Sequence, residues 1–273
     1  MFELKETSPL SYLKQLSPTH RYGKVVESTI DRSHPSPTVN GNSVKVLSWN
    51  IAKNNQNYDW SKDFLGIVAQ HQPDKIFLQE VRLCAVEKQI PELRSMGWSF
   101  APNLLDTLDN SYSGVLTATK SDRLSSKAKI TQHQEPISDT PKVSLFVEHS
   151  WGDDTLLTVN THLINFVETR KFQAQLEQIE AIISQHHGAV IFSGDFNTWN
   201  RSRWLILLQM TAKLGLTSVS FPAIEAEKIK RFMLSPPLDY IFYRGFKQKL
   251  YSAKVINSIT SSDHNPLLVE LHI

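Results

Sequence analysis

From Val44 onward the chain is built of short apolar runs with strand character, and most of them start or stop on an acid, an amide or a histidine. VKVLSWNIA carries Asn50, DKIFLQE closes on Glu80, and TLLTVNTHL reaches His162. AVIFSGD stops at Asp195 with Asn197 just beyond, LDYIFYRG opens on Asp239 after its leucine, and Asp263 and His264 precede NPLLVELHI. Two more runs, SGVLTATK and KVSLFVEH, also read as strands. Between them, Trp60, Phe64, Ile67 and Val68 recur at helical spacing, and Phe172, Leu176, Ile179 and Ile183 stack on one helical face. A further apolar helix is expected from Trp204 to Leu214. Some connections are short enough for hairpins and others long enough for a crossover helix. That mixture predicts an α/β fold of two packed sheets with helices outside, rather than a single parallel sheet.

Residues 1–43 differ in character. They hold Pro9, Pro18, Pro35 and Pro37, show no sustained period and end in the turn-rich VNGNS. They are expected to form an extension, partly disordered or packed on the domain through Phe2, Tyr12 and Tyr22, with the catalytic domain spanning 44–273. The start of the chain lacks the charged, apolar and small-residue succession of a secretory signal, and no apolar window suits a membrane span, so a cytoplasmic monomer is the default expectation. Export by a route needing no such signal, and peripheral membrane contact, stay open. Cys84 is the single cysteine, which rules out an intramolecular disulfide and a cysteine-built zinc site. It falls in an apparently helical stretch, where a lone Cys usually serves as a small apolar residue.

Residues placed at strand ends can converge from distant parts of a sequence onto one cleft held by a rigid scaffold. The residue types here suit one task. A Mg²⁺ ion takes hard oxygen ligands and keeps several waters, so Asn50, Glu80 and Asp263 suffice to hold it, with Mn²⁺ as a possible substitute. The histidines suit proton transfer and contact with phosphate oxygens, and a neighbouring Asp keeps such a ring in one orientation. Taken singly, each residue has a plainer reading: Asn50 satisfying a turn, Glu80 pairing with Arg82, or His162 hydrogen-bonded in the core.

The ordered motifs SWNIA, FLQEV, NTHL, SGDFN, PLDYIF and SSDHNP resemble those of the endonuclease/exonuclease/phosphatase superfamily, in the style of an uncharacterised bacterial branch. This superfamily includes DNase I, exonuclease III, sphingomyelinases and inositol-polyphosphate 5-phosphatases. The resemblance implies a four-layered α/β/β/α sandwich, DNase I-like, and metal-dependent phosphoester hydrolysis by in-line attack of water. By the same resemblance Asn50, Glu80 and Asp263 would lie at the metal, and Asp195 with Asn197 would position or activate the water. His264 would contact phosphate with Asp239 orienting it, and His162 would be a second phosphate contact. Either Asp195 or His264 would take the proton from water. Lys142 and Asn165 are candidate substrate contacts, with a surface lysine the plainer reading of the first.

The substrate is less constrained. Net charge is only +2, although Arg201 to Lys254 carries ten Lys and Arg against three Asp and Glu. That local excess fits either a solvated face or a landing surface for phosphate. Arg201, Arg203 and Trp204 follow GDFNTWN and are candidates to border the cleft, where phosphate tracking and base stacking favour a nucleic acid substrate, although Trp204 equally suits the core. RFMLSPPLDYIF departs from the inositol-phosphatase pattern, which has arginine where Tyr240 stands. Trp151, the one candidate for an exposed membrane-seeking aromatic, reads better as structural. A lipid phospholipase-C-like or phosphomonoesterase activity is the second reading. A non-catalytic binding module is the third, disfavoured because no catalytic position is lost.

Overall fold

The computed structural model describes residues 22–34, 42–136 and 139–273. The first sheet is ordered β1 (Tyr22–Gly23), β5 (Gly97–Asp106), β6 (Ser111–Thr119), β4 (Lys75–Cys84), β3 (Ser43–Asn50), β15 (Leu267–His272) and β13 (Lys247–Gln248). Beside this row β2 (Ile30–Arg32) also pairs with β5, and β14 (Lys254–Val255) with β15. The second sheet runs β11 (Thr217–Ser218), β12 (Asp239–Arg244), β10 (Ala189–Asp195), β9 (Asp154–His162), β8 (Pro141–Trp151) and β7 (Arg123–Gln134). Among the described residues, three helices of more than one turn complete the layers: α1 (Tyr58–His71), α2 (Thr169–Ile183) and α3 (Arg201–Lys213).

Side-chain alternation explains the layering. Along β3, Val44 and Val46 join an apolar cluster with Ile191 and Ile241 of the other sheet, while Leu47 and Trp49 turn to Trp60, Phe64 and Ile67 of α1. On the second sheet Val190, Phe192 and Phe242 face outward to Phe172, Leu176, Ile179 and Ile183 of α2 and to Leu207 and Met210 of α3. The result is the expected helix–sheet–sheet–helix sandwich, and all four spaced apolar residues of α2 are buried. Cutting Phe172 to Ala should cost about 3–5 kcal/mol, the usual price of emptying an aromatic core position.

The inward positions are apolar along most of their length and turn polar at one end. In β10, Ile191 lies in the inter-sheet cluster and the same face ends on Ser193 and Asp195; in β12 it begins on Asp239 before Ile241. Register then aligns the ends: Asp195 sits opposite Asp239 on one side and His162 on the other. Further inside, Lys75 is fully buried and donates to Thr119 Oγ1 at 2.6 Å, and burial lowers its amine to about 7.

Several expectations need correction. Cys84 closes β4 and is not helical. Strands β5 and β7 were not foreseen: proline interrupts GWSFAPNLLD, and RLSSKAKITQHQ is a polar edge strand with little apolar alternation. Trp151 is buried against Phe246, as a structural aromatic should be. Part of the N-terminal stretch is strand, since Tyr22–Gly23 and Ile30–Arg32 both pair with β5. Phe2 and Tyr12 lie outside the described residues. No helix among the described residues is long and apolar enough to cross a membrane.

Candidate active site

Where the two sheets present their polar ends, a cleft of about 340 Å³ is lined by Asn50, Glu80, His162, Asp195, Asn197, Asp263 and His264, with Lys142 and Asn165 at its side. Asp239 stands directly behind His264. Arg201, a candidate substrate contact, is neither in the cleft lining nor bonded to it; it is exposed at the start of α3.

Glu80 reaches the cleft by a local irregularity. It lies inside β4 rather than at its end, and by alternation from Ile76 and Leu78 it would point at α1. The register between β4 and β6 shifts between Leu78 and Val81, and Glu80 takes a left-handed φ of 54°. That bulge returns Val81 and Leu83 to the outer face and turns Glu80 inward. Two amides hold the backbone there: Asn160 Nδ2 donates to Leu78 O and Leu116 O, and Gln79 Nε2 donates to Asn160 Oδ1. Glu80 does not pair with Arg82, which is bonded to Asp109. Its nearest charged-capable neighbour is His162 Nε2 at 3.9 Å.

The opposite wall is tightly bonded. Asp195 is 3% exposed; its Oδ1 accepts from Asn197 N at 3.0 Å and its Oδ2 from Asn50 Nδ2 at 3.0 Å. Gly194, just before it, has a φ of 149° and no room for a side chain, because a Cβ would lie 1.9 Å from Thr161 O where β9 and β10 pair. Asn197, at a left-handed φ of 48°, also donates Nδ2 to Leu163 O. His264 Nδ1 is 2.8 Å from Asp239 Oδ2, and its Nε2 lies 3.9 Å from Asp195 Oδ2. The loop bearing His264 is fastened to β3, since Trp49 Nε1 donates to His264 O and Ser262 Oγ to Asn50 O.

These contacts separate the protonation states. Burial raises Asp195 to about 7, reinforced by Asp239 and opposed by His264 and by the bonds from Asn197 and Asn50. Burial works against a charge on His264, but Asp239, Asp195 and Asp263 outweigh it and raise the ring to about 10. His162 is pushed well below its usual value by burial, with Lys142, His264 and Lys53 adding to the effect. Asp263 is held below the usual carboxylate range despite its burial, by His264 and by Lys230, whose Nζ is 3.1 Å from Asp263 Oδ2.

Two groups of oxygen donors therefore need distinguishing. Asp195, Asp239 and His264 bring ligand atoms within 4.8 Å of one another, but His264 Nδ1 is taken by Asp239, so this trio is better suited to handling a proton than a cation. Glu80, Asn50 and Asp263 offer carboxylate and amide oxygens of the hard kind a Mg²⁺ ion takes. Glu80 makes no hydrogen bond to another described side chain, Asn50 Oδ1 accepts only from Ala52 N, and Asp263 is already engaged by Lys230. The donor set fits a divalent cation, with Glu80 the most available member.

Arg203, expected at the cleft border with Trp204, is instead fully buried, and Trp204 is half-buried. Arg203 donates to Ile164 O, Asn197 O and Val167 O and lies between the rings of Phe172 and Trp199, at 4.7 and 5.0 Å. It ties the loop after β9 to the loop after β10, the two segments that carry Asn165 and Asn197. The signal was present: Arg203, Leu207 and Met210 share one helical face, all buried. Asn160 and Gln79 were likewise passed over although both fall within the motifs NTHL and FLQEV.

A two-sheet sandwich with this polar cleft at its rim defines a phosphoesterase fold, and the Endonuclease/Exonuclease/phosphatase family profile matches residues 47–264, so the chain belongs to that family. Among its relatives are bacterial proteins known as UPF0294. One from Vibrio campbellii is 30% identical over 239 residues, 83% of this chain and 76% of the relative. One from Vibrio vulnificus is 32% identical over 271 residues, 98% of this chain and 86% of the relative. Of solved structures, an endonuclease/exonuclease/phosphatase from Beutenbergia cavernae aligns with a TM-score of 0.64 at 15% identity, covering 85% of this chain and 72% of that one. Zebrafish (D. rerio) TDP2 complexed with single strand DNA product gives a TM-score of 0.61 at 16% identity, covering 85% and 99%. The human Nocturnin catalytic domain with bound sulfate gives 0.59 at 17% identity, covering 90% and 97%. At these identities the structural likeness establishes the fold.

Proposed function

We propose that this protein is a Mg²⁺-dependent phosphodiesterase acting on nucleic acid. The observation that carries the reading is the meeting, in one cleft, of an available carboxylate, Glu80, with a buried and fully oriented Asp195–His264–Asp239 set. When bound, the cation would polarise a phosphate oxygen and steady the leaving oxygen. Glu80, Asn50 and Asp263 would hold it. Asp195, raised to about 7 and fixed by Asn197 and Asn50, is suited to accept a proton from an attacking water at neutral pH. His264, kept charged by Asp239, is suited to donate to a phosphate oxygen and not to act as the base. His162, neutral and 3.6 Å from Asp195 Oδ2, is suited to a second phosphate contact. Lys142 and Asn165 would meet the substrate at the side of the cleft; Arg201 is set apart from it. Nucleic acid is the preferred substrate class because the fold neighbour TDP2 was solved with single strand DNA product.

The test is turnover of supercoiled plasmid, single-stranded DNA, RNA, sphingomyelin and an inositol phosphate, with Mg²⁺ or EDTA, by the protein and by its Asp195→Asn/His264→Ala variant. Cleavage of a nucleic acid that both EDTA and the double substitution abolish is the expected result. Lipid or inositol turnover alone would reject the substrate, and silence on every member of the panel would reject the enzymatic reading.

A further inference from the structure

Beside the cleft, a small pocket lined by Glu80, Lys142 and His162 shares Asn103, Leu104 and Thr140 with a second chamber of about 300 Å³. Those three residues are the wall common to both, and several contacts fix it. The register of β5 against β6 shifts between Pro102 and Leu104, and Asn103 Nδ2 donates to Pro141 O at 2.7 Å, fixing β5 to the start of β8. Gly114 sits opposite the Glu80 bulge and admits no side chain, since a Cβ would lie 2.0 Å from Ala101 O. Lys142, which lines the small pocket, forms an ion pair of 3.4 Å with Glu135.

The outer wall of the chamber is the N-terminal stretch, Tyr22–Val25. This stretch is strapped across the open edge of the sandwich. Tyr22 and Gly23 pair with Asp106 and Leu105 of the first sheet. Farther on, Glu27 accepts from Ile130 N at 3.0 Å and pairs with Lys129 at 3.1 Å on the second sheet. Thr29 Oγ1 meets Ser126 Oγ at 2.8 Å, and Asp31 pairs with Arg123 at 3.4 Å. A segment fixed to both sheets makes a wall of defined position.

We propose that this chamber binds the nucleoside next to the scissile phosphate, so that residues 22–25 form part of the substrate site, with residues 27–31 anchoring them. The inference rests on the phosphodiesterase reading above. The lining mixes apolar Val25, Leu104 and Pro141 with the amides of Gln132 and Gln134. A base with its sugar matches such a surface, presenting both a flat apolar face and hydrogen-bonding edges. An acyl chain would bury those amides without partners, which costs free energy. A further run of phosphates would meet Asp139, with Lys24 the only cation among the described residues that line the chamber. The volume is that of a small-molecule site.

The experiment compares the protein with its Gln132→Trp variant, in which an indole fills the chamber from an exposed position on β7. Two substrates are used with Mg²⁺: bis(4-nitrophenyl) phosphate, which has no nucleoside, and a single-stranded tetranucleotide. The variant is expected to keep aryl diester turnover within about twofold and to lose about tenfold or more in kcat/KM on the tetranucleotide, mainly through KM. Equal behaviour of the two substrates, whether both hold or both fall, overturns the chamber's role. Should the unaltered protein hydrolyse neither, the phosphodiesterase reading fails. The chamber is then judged by binding of a fluorescein-labelled tetranucleotide in EDTA: about tenfold weaker binding by the variant supports it, and equal binding overturns it. Lys24→Ala, on the same wall, is expected to give a smaller loss in the same direction.

Discussion

On one wall of the cleft the side chains of Asp195, Asp239 and His264 are 4%, 6% and 9% exposed, and each has a partner within hydrogen-bond distance. On the other, Glu80 and Asp263 are 28% and 63% exposed, and Glu80 has no partner among the described side chains closer than His162 at 3.9 Å. The first wall is finished by folding: every polar atom that must act is already oriented, and removing one leaves its neighbours buried and unpaired. On the second, Asp263 is held by Lys230, but Glu80 is left without a hydrogen-bonding side-chain partner. Its carboxylate is aimed by backbone strain and not by hydrogen bonds, which leaves its oxygens free for a cation. Pre-organisation is thus divided, with side-chain bonding on one side and main-chain geometry on the other.

If that division is right, substitutions on the bonded wall should cost the most activity. Asp195→Asn keeps the shape of the side chain but turns one of its two accepting oxygens into a donor and removes the basic oxygen, and a loss on the order of 10³-fold in kcat is expected for the nucleic acid substrate. A variant retaining most of its turnover would remove Asp195 from the proton-accepting role. His264→Ala is next, with a loss on the order of 10²-fold, since a charged donor to phosphate disappears. It also strands Asp239, so a lowered unfolding temperature should accompany the loss. Asp239→Asn should cost about tenfold, because the ring stays in place while its charge is no longer held. A larger loss than that of His264→Ala would mean that Asp239 touches the substrate side of the reaction directly.

Much of the bonded wall was legible in the sequence, and the reason is periodicity. The inward face of a strand repeats every second residue, so an apolar run that ends on Asp195 or begins near Asp239 reveals both the strand and the end at which chemistry sits. The helix of Phe172, Leu176, Ile179 and Ile183 was legible for the same reason. Where alternation breaks, the reading loses its guide. The turning of Glu80 depends on a bulge that no pattern announces, and the long strands β5 and β7 either carry a proline or lie polar at an edge. Arg203 was misplaced because a charged side chain next to a catalytic motif looks like a surface contact. Here three main-chain carbonyls and two aromatic rings supply what water otherwise would.

The smallest effect tests the strained wall, through stability. At a φ of 54° any side chain other than glycine meets steric cost, of order 1 kcal/mol, which glycine avoids. Glu80 has little packing to lose, so Glu80→Gly should raise unfolding stability by about 1 kcal/mol, while Glu80→Ala, equally strained, should leave it nearly unchanged. Both variants should lose the response of activity to added Mg²⁺. Urea unfolding of the two variants beside the parent gives the comparison directly. A glycine variant no more stable than the alanine variant would mean that the Asn160 and Gln79 amides impose the bulge without strain at Glu80. The aim of the carboxylate would then rest on hydrogen bonding after all, and the contrast between the two walls would reduce to exposure.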